Sequence, residues 1–202
     1  MRTFALARLL RRIIRTMNDR IKQLEKQMYD LSQELIAERG KAEPETVENF
    51  HFETSEGPVS LSSLFGDKKE LIVIHNMGKS CNYCSLWAET LQSTIPFVET
   101  RAAYVLVNPN SPAEQKEFAA SRGWNFPMVT DATGEFTTAM GYRSDDGYWH
   151  PGCSAFVMND DGTISRTGTT QFGPGDAFAP IWHFWSLLPG AYESWEPPIP
   201  TK

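Results

Sequence analysis

The sequence predicts an α/β fold: a mixed sheet with flanking helices, preceded by a long N-terminal amphipathic helix. Three observations carry this. Residues 5–39 contain no Gly or Pro and are rich in Leu, Arg, Glu, Gln and Lys, all good helix formers. Leu71-Ile72-Val73-Ile74 and Tyr104-Val105-Leu106-Val107 are short, continuous apolar runs of the kind found in strands buried on both faces of a sheet. Finally, Asn159-Asp160-Asp161-Gly162 separates Ala155–Met158 from Thr163–Arg166, an Asp-Gly turn between two strands that signals a hairpin.

In the first helix, apolar residues fall at Leu10, Ile14, Met17, Ile21, Leu24, Met28, Leu31 and Leu35, alternately 4 and 3 apart. That is the period of a coiled-coil seam. Gly40 and Pro44 end the helix. It is expected either to lie on its own domain or to form a homodimer through residues 10–35.

Residues 41–69 are expected to be a connecting segment with an edge element at Phe50 and Phe52, then a turn of helix closed by Gly66. The main domain is assigned to residues 70–193, with residues 194–202 as an extended tail. Within it a helix is expected from Cys84 to about Phe97, bent or ended by Pro96. Ser111, Pro112 and Glu114 open another helix, and Gly123 closes it. Met128-Val129 is a short extended piece, followed by a short helix near Phe136–Met140 and a surface loop from Arg143 to Gly152. Asp176 is expected to cap a last helix running to Leu188.

The 202 residues are 41% hydrophobic and 22% charged, enough for a core without disulfide staples. Net charge is −6, which argues against a general nucleic-acid binder. Seven basic side chains crowd residues 1–22 against the single acid Asp19, so the remainder is more acidic still. This start also fits an organelle transit peptide or contact with an anionic surface, although cysteine usage points to the reducing cytoplasm. No stretch approaches the roughly 20 apolar residues of a membrane span.

Three cysteines are present, two of them in Cys81-Asn82-Tyr83-Cys84. A C-x-x-C pair after a buried strand and at the start of a helix is the context for dithiol redox chemistry. Cys81 faces unpaired N–H groups and the positive end of the helix dipole, which favour its thiolate. Cys84, one turn on, is placed to attack a mixed disulfide on Cys81. Zinc is a weaker reading, because His51, His75, His150 and His183 are scattered and form no second ligand pair.

His75 ends the strand leading to the dithiol, where it either tunes the Cys81 thiolate or is simply hydrogen-bonded. Tyr83 and Trp87 suggest a docking wall. Trp182, Phe184, Trp185, Tyr192 and Trp195 read mostly as core and tail packing.

Leu61–Phe65, Leu71–Met77 and Cys81–Ser85 resemble a largely bacterial, thioredoxin-like family known as domain of unknown function 899. Gly123-Trp124-Asn125-Phe126-Pro127, Gly152–Phe156 and Leu188–Glu193 extend the resemblance, which spans about residues 20 to 193. It implies a thioredoxin-like fold related to thioredoxins and peroxiredoxins, with no settled substrate.

Two departures matter. Asn82-Tyr83 replaces the Gly-Pro or Pro-His common between thioredoxin cysteines. Cys153 stands where the thioredoxin cis-proline is expected, which suggests that it approaches Cys81 to give three thiols in one pocket. Such a set could hold zinc or an iron–sulfur cluster; otherwise Cys153 fills a loop position and no cofactor is expected.

The expected activity is a thiol–disulfide oxidoreductase acting on a protein or small-molecule disulfide. A peroxiredoxin-like thiol peroxidase is the alternative among enzymes. It is disfavoured because Met77-Gly78-Lys79-Ser80 precedes Cys81 in place of the usual peroxidase stretch. A dimeric binding module without catalysis is the remaining alternative.

Overall fold

The computed structural model describes residues 2–198, with side chains from Thr16 onward. The chain divides into two compact units, the first ending at Glu43 and the second beginning at Pro44. The first is one helix, α1 (Arg2–Arg39), followed by a turn at Gly40.

The second unit is built on one eight-stranded sheet. In chain order its strands are β1 (Glu45–Val47), β2 (His51–Thr54), β3 (Gly57–Ser60), β4 (Glu70–His75), β5 (Ala103–Asn108), β6 (Met128–Thr130), β7 (Gly152–Met158) and β8 (Ile164–Gln171). Their order across the sheet is β1-β8-β7-β4-β5-β6-β2-β3. The pairs β4–β5 and β5–β6 are parallel, while β4–β7 and β7–β8 are antiparallel.

The stretch 41–69 is therefore more than a connector. It supplies β1 to one edge of the sheet and the β2–β3 hairpin to the other. These strands are three or four residues long and each buries at most one residue, so their pattern in the sequence is faint.

Because side chains alternate along a strand, the two faces of the sheet carry separate cores. Leu71 and Val73 of β4 and Val105 and Val107 of β5 pack with Phe52, Phe65, Phe136, Tyr142 and Phe156. Ile74, Tyr104 and Leu106 face the other way and pack with Trp87, Phe126, Phe172 and Trp182.

The expected helix from Cys84 to Phe97 is two helices, α2 (Asn82–Gln92) and α3 (Ile95–Val98). Pro96 accounts for the break: lacking an N–H, it is tolerated in the first turn of α3 but not inside a continuous helix. Helix α4 (Pro112–Arg122) opens on a full capping box, in which Ser111 Oγ accepts from Glu114 N and the Glu114 carboxylate accepts from Ser111 N. Gly123 closes it at φ 70°.

Helix α5 (Glu135–Ala139) follows, and the last helix, α6 (Ile181–Trp185), is much shorter than expected. Asp176 does cap backbone, accepting from Phe178 N at 2.7 Å and Ala179 N at 3.1 Å. That turn stops at Pro180, where α6 begins anew. Among the described residues no helix is long and apolar enough to cross a membrane.

Candidate functional site: the dithiol at the start of α2

The site is assembled where β4 ends. Asn76 N donates to Val107 O at 3.0 Å, extending the β4–β5 pairing by one residue beyond His75. The buried Asn76 side chain then turns the chain: Oδ1 accepts from Gly78 N at 2.7 Å and Nδ2 donates to Cys84 O at 3.4 Å.

Gly78 adopts φ +97°, and a Cβ there would lie 2.6 Å from Asn110 Oδ1. That oxygen is already engaged, accepting from Lys79 N at 2.8 Å. Lys79 Nζ also meets Glu114 Oε1 at 2.8 Å. Asn110 is itself fixed, with its N–H donating to Asn108 Oδ1 at 2.9 Å and its carbonyl accepting from Thr130 Oγ1 at 2.6 Å. The loop before the dithiol is thus held by the loop between β5 and α4.

Cys81 is the N-cap residue of α2, with extended backbone (φ −97°, ψ 107°), and its Sγ accepts from Cys84 N at 3.1 Å. A sulfur here does what a Ser or Asp oxygen does at an ordinary N-cap, satisfying one of the helix's unpaired donors. Its thiol pKa is lowered to about 7. The largest cause is a hydrogen bond from the Cys84 thiol, and the backbone N–H groups of Cys84 and Tyr83 add to it. Partial burial opposes them.

Cys84 is buried, and its pKa moves upward, chiefly because its thiol donates to Cys81 and further because of burial and the Cys81 charge. Its Sγ also accepts from Met77 N at 3.4 Å. The two thiols are made unequal: one is half-buried and inclined to ionise, the other is buried and keeps its proton.

The remaining predicted residues are placed differently. His75 lies in the core on the sheet face opposite Ile74 and Trp87. Its Nε2 is 2.9 Å from Ser154 Oγ, and its ring stacks on Tyr142 at 3.8 Å and on Phe136 at 5.5 Å. Burial, aided by the charge of Arg166, lowers its pKa to about 3, so the ring is neutral. Of the two roles expected for it, the one seen is the hydrogen bond, here to Ser154, and alternation along β4 turns its ring to the face opposite Ile74.

Cys153 pairs with Ile74 in the β4–β7 ladder and packs in the cluster containing Trp87 and Phe172. Its neighbours include Tyr104, whose pKa is raised by burial and then by Cys153. None of the three cysteines forms a disulfide. Among the described residues no three His, Cys, Asp or Glu side chains form a group that could hold a metal ion.

Trp87 is core, only 3% exposed. Tyr83 instead lines a groove of about 520 Å³ with Pro174, Trp182, Tyr192 and Trp195. It stacks on Trp182 with ring centroids 6.2 Å apart.

Sequence reasoning missed Asn76, Asn110 and Gly152. A Cβ on Gly152 would fall 2.1 Å from Tyr142 Cε1 and 2.5 Å from Thr170 O. Tyr142 Oη in turn meets Cys153 O, Thr169 Oγ1 and Thr170 O at 2.7–2.8 Å. The available signal was local: Asn and Gly beside a motif loop.

A central parallel β4–β5–β6 core, an antiparallel β7–β8 hairpin and a dithiol opening α2 define a thioredoxin-like domain. Residues 14–193 match the family described as "Bacterial protein of unknown function (DUF899)", and the chain belongs to that family. No curated protein matches the chain.

Among solved structures, AhpC of Enterococcus faecalis aligns with TM-score 0.52 at 16% identity, over 66% of this chain and 82% of that one. Reduced Prx3 of Vibrio vulnificus in complex with hydrogen peroxide aligns with TM-score 0.51 at 18% identity, over 67% and 90%. The peroxidoxin BcpB of Mycobacterium tuberculosis is 25% identical over 60% and 80%, with TM-score 0.49. The first two share the fold.

Proposed function

We propose that the protein is a cytoplasmic thiol–disulfide oxidoreductase that works through its own thiols, without a cofactor. The observation that carries this is the Cys81 Sγ, seated at the N-cap of α2 and accepting the Cys84 N–H at 3.1 Å. A thiolate held there is both populated near neutral pH and nucleophilic, because the attacking thiol works best with a pKa near ambient pH.

The Cys81 thiolate attacks one sulfur of a protein or small-molecule disulfide. An S–S bond forms to Cys81 as the substrate S–S bond breaks and the first thiolate departs. Cys84 then passes its proton to the first released thiolate and attacks Cys81 Sγ, releasing the second thiolate and leaving a Cys81–Cys84 disulfide. The substrate has gained two electrons and the dithiol has lost two; an external thiol must restore it by the reverse exchange. In this reading Cys153 packs the core and His75 fixes the end of β4, and neither takes a step.

Reduction of insulin or a small aromatic disulfide, with dithiothreitol as donor, tests the proposal. Cys81→Ser is expected to abolish turnover, and Cys84→Ser to accumulate a mixed disulfide on Cys81. Wild-type turnover no faster than that of Cys81→Ser overturns it.

A further inference from the structure

The long helix presents a face that nothing in its own unit covers. Among the described residues, Met17, Ile21, Leu24, Met28, Leu31 and Leu35 are all between 42% and 63% exposed. They are the seam predicted from the sequence, continuous in one helix. Tyr29 and Ile36 widen the apolar face on one flank.

Written as heptads, the seam has Ile14, Ile21, Met28 and Leu35 at a positions and Leu10, Met17, Leu24 and Leu31 at d positions. The β-branched Ile14 and Ile21 at a positions, with Leu at most d positions, favour two strands over three or four. From Arg20 onward the g positions hold Arg20, Gln27 and Glu34, and the e positions they face hold Glu25, Ser32 and Arg39.

In a parallel, in-register pair each g residue faces the e′ residue of the following heptad. Arg20 then meets Glu25 of the partner subunit, Gln27 meets Ser32 of the partner subunit, and Glu34 meets Arg39 of the partner subunit. Both charged contacts are attractive and the third is neutral, and symmetry doubles each. An antiparallel pair that sets Arg20 against Glu34 of the partner subunit brings the two copies of Glu25 together instead.

From the exposed seam and this charge order we propose that α1 joins two copies of the chain as a parallel, in-register coiled coil. The seam is apolar and self-complementary, so the occupant that fits it is its own copy.

Sedimentation equilibrium of the full chain tests this. The expected mass is twice that of one chain; a monomer overturns the proposal, as it would if the helix lay on its own domain. Orientation is read in a background with Cys81, Cys84 and Cys153 each changed to Ser. There Leu24→Cys is expected to cross-link to itself on mild oxidation, because a d residue faces its own copy only in the parallel register. Cross-linking of Leu24→Cys to Met28→Cys but not to itself overturns the parallel arrangement.

A charge exchange that leaves the seam intact guards against misfolded variants. Glu25→Arg is expected to weaken dimerisation roughly tenfold, and Arg20→Glu with Glu25→Arg to restore it. Failure of Arg20→Glu to rescue Glu25→Arg contradicts the register.

Discussion

Two thiols three residues apart differ because one caps a helix and the other is buried in it. The Cys81 sulfur takes the place of a capping oxygen, and the Cys84 thiol and backbone N–H groups favour its charge. Removing the Cys84 thiol removes the largest of these contributions. Cys84→Ala is therefore expected to raise the Cys81 pKa, measured by thiolate absorbance at 240 nm, roughly toward the free value of about 8.5.

His75 is the opposite case, a titratable group made inert by its surroundings. Its folded pKa lies at about 3, below its unfolded value near 6.5. A depressed pKa means the unfolded chain binds the extra proton first, so the stability it confers is complete above about pH 6.5 and is lost as pH falls toward 3. Thermal midpoints across that window are expected to fall more steeply for the wild type than for His75→Phe.

Gly152 is the third residue whose identity is dictated locally, since the Tyr142 ring occupies the place of a Cβ. Gly152→Ala is expected to destabilise by about 1–3 kcal/mol in urea unfolding, the usual cost of overpacking a core. The clash displaces the ring that stacks on His75.

At the scale of elements, the dithiol loop depends on a neighbour distant in sequence. Asn110 and Glu114 grip Lys79, and Glu114 also closes the capping box of α4. Asn110→Ala is expected to release Lys79 N and loosen the turn around Gly78. The readout is faster amide hydrogen exchange at residues 78–81 and a higher Cys81 pKa, with the overall fold retained. Ser111→Ala should cost about 1 kcal/mol through the lost cap alone. Unaltered exchange in Asn110→Ala would mean that the loop holds itself.

At the scale of the whole molecule, much of the fold is legible because its central strands are buried on both sides. Leu71–Ile74 and Tyr104–Val107 are unbroken apolar runs that correspond to β4 and β5 within one residue at each end. The motif helix, the Ser111 cap and the β7–β8 turn are equally plain, since each rests on local chemistry. The edge strands β1 and β3, and β2 beside β3, are harder to read: each is three or four residues long with at most one buried residue, and only the alternation through Phe52 marks β2 in the sequence.

The candidate site divides along the same line. Cys81 and Cys84 are visible from spacing and context, whereas the fate of His75 and Cys153 depends on which sheet face each residue takes. Asn76 and Asn110 are set by tertiary hydrogen bonds and leave almost no trace in the sequence.

The proposed chemistry requires an ionised Cys81, and the rate of its alkylation against pH reads that directly. Iodoacetamide with mass mapping should find Cys81 alone modified rapidly, with a midpoint near pH 7 and Cys84 unreactive in the folded protein. A Cys81 midpoint at or above about 8.5, the value of an ordinary free thiol, would contradict it.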